Sequence, residues 1–220
     1  MEIRRTANAG ALLTLDDTKV LLDGVSQEVK PYLATPPEET KKLLSSWPDV
    51  VAFTHYHEDH CDPSYAKAYC KATGRPVYGT SQVAQLLPGM VQTEEAIALG
   101  NIRLTAVPTR HMGHYGKTTE HRSYVVEGSR NIWFLGDASP SELKHFADFS
   151  KPDVLIVPYP YVNTLAALKL LETLLPCKIV LLHLPLQDND PDGVWQSVMP
   201  GLEYLKANLY VPEMGETLNL

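Results

Sequence analysis

Three things are scarce in this chain, and each scarcity closes off a class of function. Cysteine occurs only at Cys61, Cys70 and Cys177. An odd count with no CxxC spacing argues against a disulfide framework and points to a reducing, cytoplasmic setting. Positive charge is outnumbered: 19 lysines and arginines face 26 aspartates and glutamates, a net charge of −7. Generic binding to nucleic acid or to an anionic membrane needs basic patches, so neither partner is expected, although a local basic pocket stays open. Long apolar runs are absent as well. The N-terminus, MEIRRTANAGALLTLDD, carries an arginine pair but no long hydrophobic stretch, so neither a signal peptide nor an anchor is expected there. Nothing further on reaches the 18 apolar residues of a membrane span, so no membrane insertion is expected.

What is present is the make-up of a soluble globular protein: 44% hydrophobic and 20% charged over 220 residues. No linker, low-complexity tract or charge block marks a boundary, so a single domain over 1–220 is expected. The chain begins with extended segments at 11–15 and 19–23 around an Asp16-Asp17-Thr18 turn. Helix-start chemistry then introduces 36–47, and helices are predicted over 63–73, closed by Gly74, 81–87, 141–146, 164–175 and 191–207. Strands are predicted at 50–54, 76–78, 102–108, 122–126, 132–135, 153–157, 178–182, 209–212 and 216–220. Mixed strands and helices imply an α/β fold with a sheet core and helices outside it.

The chemistry lies where those strands end. Thr54-His55 follows 50–53, Arg110-His111 follows 104–108, Gly136-Asp137 closes 132–135, and His183 closes 179–182. Strand ends are rigid and the loops beyond them converge, so distant ligands can meet there. In VVAFTHYHEDHCD, residues 50–62, His55 and His57 lie two apart in an extended segment and point the same way. Asp59 and His60, past a bend, can face a second ion. Imidazoles and carboxylates suit Zn²⁺ first, with manganese or iron open if carboxylates dominate. Taken singly, Asp137 reads as a turn former or helix cap, His183 as a core histidine, and His111 with His114 as a polar loop. Cys61 reads as a buried structural thiol. Those readings must all hold at once, and must explain why every histidine of the eight except His145 lies in or just beyond a strand end. A metal site accounts for them together.

Here the sequence resembles the metallo-β-lactamase-fold hydrolase superfamily. THYHEDH carries its HxHxDH motif at His55, His57, Asp59 and His60; a "vPtrH" context places its third histidine at His111, with His114 as competitor. An "flGD" context places the bridging aspartate at Asp137, and the last histidine falls on His183. Asp23, after LL in LLDG, matches a supporting strand-end carboxylate. The resemblance covers essentially the whole chain and implies a four-layer αββα sandwich with two zinc ions at one edge of its sheets.

It also implies a hydrolase of small molecules. In that reading Asp59 and Asp137 serve catalysis as well as binding metal, and water, His114 or a nearby tyrosine protonates the leaving group. Arg110, His121, Arg122, Tyr159 and Tyr161 are candidates for contacting substrate or orienting ligands. The segment PDVLIVPYPYVNTLAALKLLETLLPCKIVLLHLP is most similar to the compact branch with ascorbate-6-phosphate lactonase-like and phospholipase-D-like members. Three activities stay open: hydrolysis of an ester, lactone or phosphodiester of a small phosphorylated or lactone metabolite; phosphodiester cleavage in a nucleotide or phospholipid, with Arg110 and Arg122 as phosphate clamps; and non-catalytic, regulatory metal binding.

Overall fold

The computed structural model describes residues 1–175 and 177–220. In chain order its elements are β1 (Glu2–Arg5), β2 (Ala11–Leu15), β3 (Thr18–Leu22), α1 (Pro37–Ser45), β4 (Val50–Ala52), α2 (Pro63–Thr73), β5 (Val77–Tyr78), α3 (Ser81–Leu86) and β6 (Val91–Gln92). They continue with β7 (Ala96–Leu99), β8 (Ile102–Arg110), β9 (Glu120–Glu127), β10 (Asn131–Phe134), β11 (Val154–Pro158), α4 (Leu165–Glu172), β12 (Lys178–Leu182), α5 (Val194–Leu205), β13 (Leu209–Tyr210) and β14 (Thr217–Asn219). Short 3-10 turns occupy Gly113–Lys117, Pro140–Phe146 and Tyr159–Tyr161.

The strands form two seven-stranded mixed sheets, ordered β14-β1-β2-β3-β4-β5-β6 and β13-β12-β11-β10-β9-β8-β7. Both follow one plan. From β14 to β3 and from β7 to β10 neighbours are antiparallel; from β3 to β6 and from β10 to β13 they are parallel.

Side-chain alternation explains the layers. Val50 and Ala52 of β4 face Ile132, Phe134, Ile156 and Val180 of the other sheet in one central core. The residues between them turn outward: Val51 packs with Leu43, Tyr65, Tyr69 and Val83 under α1, α2 and α3. Leu155, Ile179 and Leu181 pack with Leu171, Val198 and Leu205 under α4 and α5. Central strands buried on both faces need unbroken apolar runs, which is why 50–53, 154–157 and 179–182 carry them. The result is a helix–sheet–sheet–helix sandwich, as expected.

Local chemistry sets the boundaries. The β2–β3 hairpin turns on Asp16 and Asp17, both at positive φ, the conformation a two-residue primed turn demands. Helix α2 starts on Asp62, which accepts from the Ser64 amide at 2.7 Å, and stops at Gly74 in the left-handed region. Three strands escape sequence reading: β1, β6 and β7. All are short, and β7 alternates exposed and half-buried residues at a sheet edge. The predicted helix over 141–146 is a 3-10 turn, and 191–193 precede α5, because Asp190 caps it by accepting from the Val194 and Trp195 amides.

Candidate metal centre

The loops after β3, β4, β8, β10 and β12 meet at one end of the sandwich and bring together seven donors separated by up to 128 positions (183 − 55 = 128). Potential ligand atoms lie within 4.8 Å of one another in three overlapping sets: His55, His57 and His111; Asp59, His60 and His183; and His55, His60 and Asp137. Asp137 lies between the first two. Its Oδ2 is 3.5 Å from both His60 Nε2 and His111 Nε2, and its Oδ1 is 3.6 Å from His183 Nε2. Asp59 Oδ2 is 3.4 Å from His183 Nε2.

A layer of hydrogen bonds behind these side chains fixes which nitrogen each histidine presents. Asp23 is fully buried; it accepts from the Thr54 amide at 2.7 Å, the Thr54 hydroxyl at 2.6 Å and His60 Nδ1 at 2.8 Å. With its proton committed to Asp23, the Thr54 hydroxyl can only accept from His55 Nδ1, 2.9 Å away. His111 Nδ1 donates to the Met112 carbonyl at 2.7 Å. All three rings therefore aim Nε2 inward. His57 differs: its Nε2 meets the Thr119 hydroxyl at 3.3 Å, and its Nδ1 faces His55 Nε2 at 3.0 Å. On the opposite side Asn8, with Oδ1 held by Arg5, reaches His183 Nδ1 at 3.3 Å and accepts the His183 amide on its carbonyl. Asp23 and His183 both adopt positive φ, a strained conformation for residues with side chains and one that concentrates at functional sites.

Electrostatics match the geometry. Burial, then the neighbouring His60 and His121, holds His55 well below the ordinary imidazole range; burial likewise lowers His57 and takes His121 down to about 3. These rings are neutral and keep their lone pairs. Burial opposes ionisation of Asp59 and Asp137, yet contact with His183 and His60 wins, taking Asp59 down to about 2 and Asp137 well below the carboxylate range. Burial also favours a neutral His60, but Asp137 and Asp23 outweigh it and hold the ring well above its usual range. The enclosure at His60 calls for positive charge, as a proton or as an ion. His111 Nε2 and Asp137 Oδ1 are buried without any hydrogen-bond partner, which is costly unless something else satisfies them. Neutral imidazoles, ionised carboxylates and orphaned inward-facing donors are what a divalent ion of borderline softness requires.

Five of the donors, His57, Asp59, His111, Asp137 and His183, line an open cleft of about 960 Å³, with His55 and His60 fully buried behind them. Of the other residues singled out by sequence, His114 and Tyr159 line it, His114 exposed on the turn after β8 and Tyr159 half-buried. Three expected substrate contacts lie elsewhere. Arg110 and Arg122 share a separate depression with Glu120 and Glu142, because Pro108 pairs with Arg122 and Arg110 with Glu120 on the face opposite Thr109, His121 and Ser123. Tyr161 is fully buried in the core under α4 and α5 and donates to the Ser139 carbonyl; the tight 3-10 turn sends it away from Tyr159. His121 is an internal support: its Nδ1 meets the Thr109 hydroxyl at 2.8 Å, and its Nε2 accepts the Asp137 amide at 3.0 Å. Cys61 is a buried free thiol in the outer core and borders the cleft floor.

Sequence reading missed Tyr32, Asn8 and Thr119. Tyr32 packs edge-on against His183 with centroids 4.4 Å apart. No local pattern marks Asn8, which meets His183 only through the fold.

The chain belongs to the beta-lactamase superfamily, whose domain model matches residues 3–181. It is similar to a UPF0173 metal-dependent hydrolase of Methanopyrus kandleri, 28% identical over 155 residues that span 64% of this chain and 66% of that protein. Its fold matches the structure described as "a possible metal-dependent hydrolase" from Veillonella parvula, with a TM-score of 0.78, 18% identity and coverage of 100% and 99% of the two chains. It also matches an isothiocyanate hydrolase from Delia radicum gut bacteria, with a TM-score of 0.73, 18% identity and the same coverage. Among the described residues, no helix is long and apolar enough to cross a membrane.

Proposed function

We propose that the chain is a metal-dependent hydrolase of small molecules with two divalent ions, zinc first, at the end of its sandwich. The observation that carries this reading is the placement of two three-donor sets on either side of Asp137, with His111 Nε2 and Asp137 Oδ1 left buried and unsatisfied. His55, His57 and His111 would hold one ion and Asp59, His60 and His183 the other, with Asp137 reaching both. Bound there, the ions supply a water acidic enough to attack at neutral pH and a Lewis acid for the attacked carbonyl.

The chain's own residues do the rest. Asp23, Thr54 and the Met112 carbonyl lock ring tautomers, so little reorganisation accompanies binding. Asp59 and Asp137 are held ionised and would accept a hydrogen bond from the attacking water, orienting it. His114 and Tyr159 both line the cleft, and His114 would protonate a leaving group. The reading takes an ester or lactone as the bond cut, with a phosphodiester as the alternative.

The test is elemental analysis of the purified protein, alongside turnover of ester, lactone and phosphodiester panels. About two transition-metal ions per chain with ester or lactone hydrolysis would bear the reading out. Protein that neither holds nor takes up such an ion would overturn it. Bound metal with no turnover would favour a regulatory role.

A further inference from the structure

We infer that the cleft selects uncharged substrates with an apolar or aromatic group beside the scissile bond, and disfavours phosphorylated or otherwise anionic ones. The inference rests on the hydrolase reading above. Its basis is the chemistry of the cleft wall. Tyr32, Tyr56, Tyr115 and Tyr159 surround the donors, with Leu86 and Met112 beyond them. Tyr56, Leu86 and Tyr115 are among the large apolar side chains most exposed to solvent, and all three rim this opening. Apolar surface left uncovered around a concave site is surface kept for a ligand, and the volume suits a molecule of drug-like size.

The second observation is what the wall omits. Among the described residues no lysine or arginine lines the cleft. Arg110, next to His111, and Arg122 open onto the other depression, which Glu120 and Glu142 also line, and Arg122 donates to the Thr93 carbonyl. The one charged side chain of the wall that is not part of the donor cluster is Glu58, exposed and acidic.

Bound ions would attract anions, so their charge must be counted. Two divalent ions bring four positive charges, against Asp59, Asp137, Asp23 behind His60, and a deprotonated attacking water. The floor is close to neutral, and Glu58 then tips the opening negative. Phosphate recognition relies on arginine, lysine or a free helix N-terminus converging on the oxygens; among the described residues no lysine or arginine lines the cleft, and the α2 N-terminus, whose Pro63 borders it, is already capped by the Asp62 carboxylate. An acyl group that stacks on tyrosine and slides past Leu86 meets no such deficit.

The zinc-loaded protein would be assayed with 4-nitrophenyl butyrate and 4-nitrophenyl hemisuccinate, which share a leaving group and differ by one carboxylate, and with bis(4-nitrophenyl) phosphate. The expected result is a kcat/KM at least about tenfold higher for the butyrate than for the hemisuccinate, the scale of one unpaired charge beside Glu58, and lower still for the phosphate. Glu58→Lys should shrink the butyrate-to-hemisuccinate ratio several-fold. Equal or preferred turnover of either anion overturns the inference. Should nothing be hydrolysed, the hydrolase reading fails, and calorimetric titration with the matching anilides still decides the cleft's preference. Tighter binding of the neutral anilide upholds it. Equal or tighter binding of the succinanilic acid, or no binding of the neutral anilide at millimolar concentration, sinks it.

Discussion

At the scale of single residues, the centre depends on what stands behind the donors. Asp23 is the clearest case: three donors converge on one fully buried carboxylate, and one of them is the ring nitrogen of His60. Asp23→Asn keeps the shape but loses the charge that supports the ring, and such supporting contacts are worth about 10–100-fold in metal affinity. Competition with a chromophoric chelator should show a drop of that size, with far-UV circular dichroism unchanged. Asp23 was legible because it closes a strand in LLDG. The seven donors were legible for the same reason, each lying at or just past an apolar run. Arg110, Arg122 and Tyr161 were misplaced because linear proximity to a donor says nothing about direction. On β8 and β9 a shift of one residue exchanges faces, so Arg110 and Arg122 point away while Thr109 and His121 point in. His121 lies deeper than its neighbours suggested, holding the amide of Asp137 rather than meeting a ligand.

At the scale of elements, the site is built by close approach. A Cβ on Gly10 would lie 1.9 Å from the Asp23 carbonyl oxygen, so the loop before β2 fits against the end of β3 only without a side chain. Gly10→Ala must displace the Asp23 loop, an overpacking that costs about 1–3 kcal/mol. Urea denaturation should show a lower midpoint, and metal affinity should fall with it, since Asp23 moves too. Element boundaries were readable where the chain carries explicit chemistry, as at Asp62-Pro63 and Gly74 around α2. They were not readable where pairing alone makes a strand: β1 holds two arginines and a glutamate, β6 has only two residues, and both gain their structure from neighbours on the sheet.

At the scale of the whole molecule, two properties follow from charge. The buried donors are mutually supportive only around positive charge, and an ion binding the folded chain alone stabilises it by mass action. Free ion at a hundredfold excess over Kd adds about 2.7 kcal/mol, which for a chain of this size is a rise in Tm of about 5–10 °C. Calorimetric scans with zinc and with a chelator should differ by that much. The second property concerns acid. Glu39 receives two hydrogen bonds from the Arg4 guanidinium, at 2.7 and 2.8 Å, plus one from Lys42 at 2.6 Å. The Arg4 contact, partly opposed by burial and aided by Lys42, lowers Glu39 from 4.5 to about 2. A folded-state value below the unfolded one means stabilisation that is complete above pH 4.5 and lost as pH falls from there towards 2. Glu39→Gln should therefore cost about 1 kcal/mol at neutral pH, the scale of a well-formed pair bordering solvent. In denaturation series its deficit should vanish near pH 2.

The shared plan of the two sheets carries one more consequence. Each half of the chain lays down antiparallel strands and then parallel ones, and the last antiparallel strand of each run, β3 or β10, is followed by an aspartate, Asp23 directly and Asp137 three residues on. One is fully hidden behind the donors, and the other borders the cleft among them. The first half contributes the 55–60 cluster, and the second contributes His111, Asp137 and His183. Neither half alone owns a complete coordination sphere. On the proposed reading, an ion would gain its full set of ligands only once both halves have folded and docked, so loading with metal would report on the assembly of the whole sandwich.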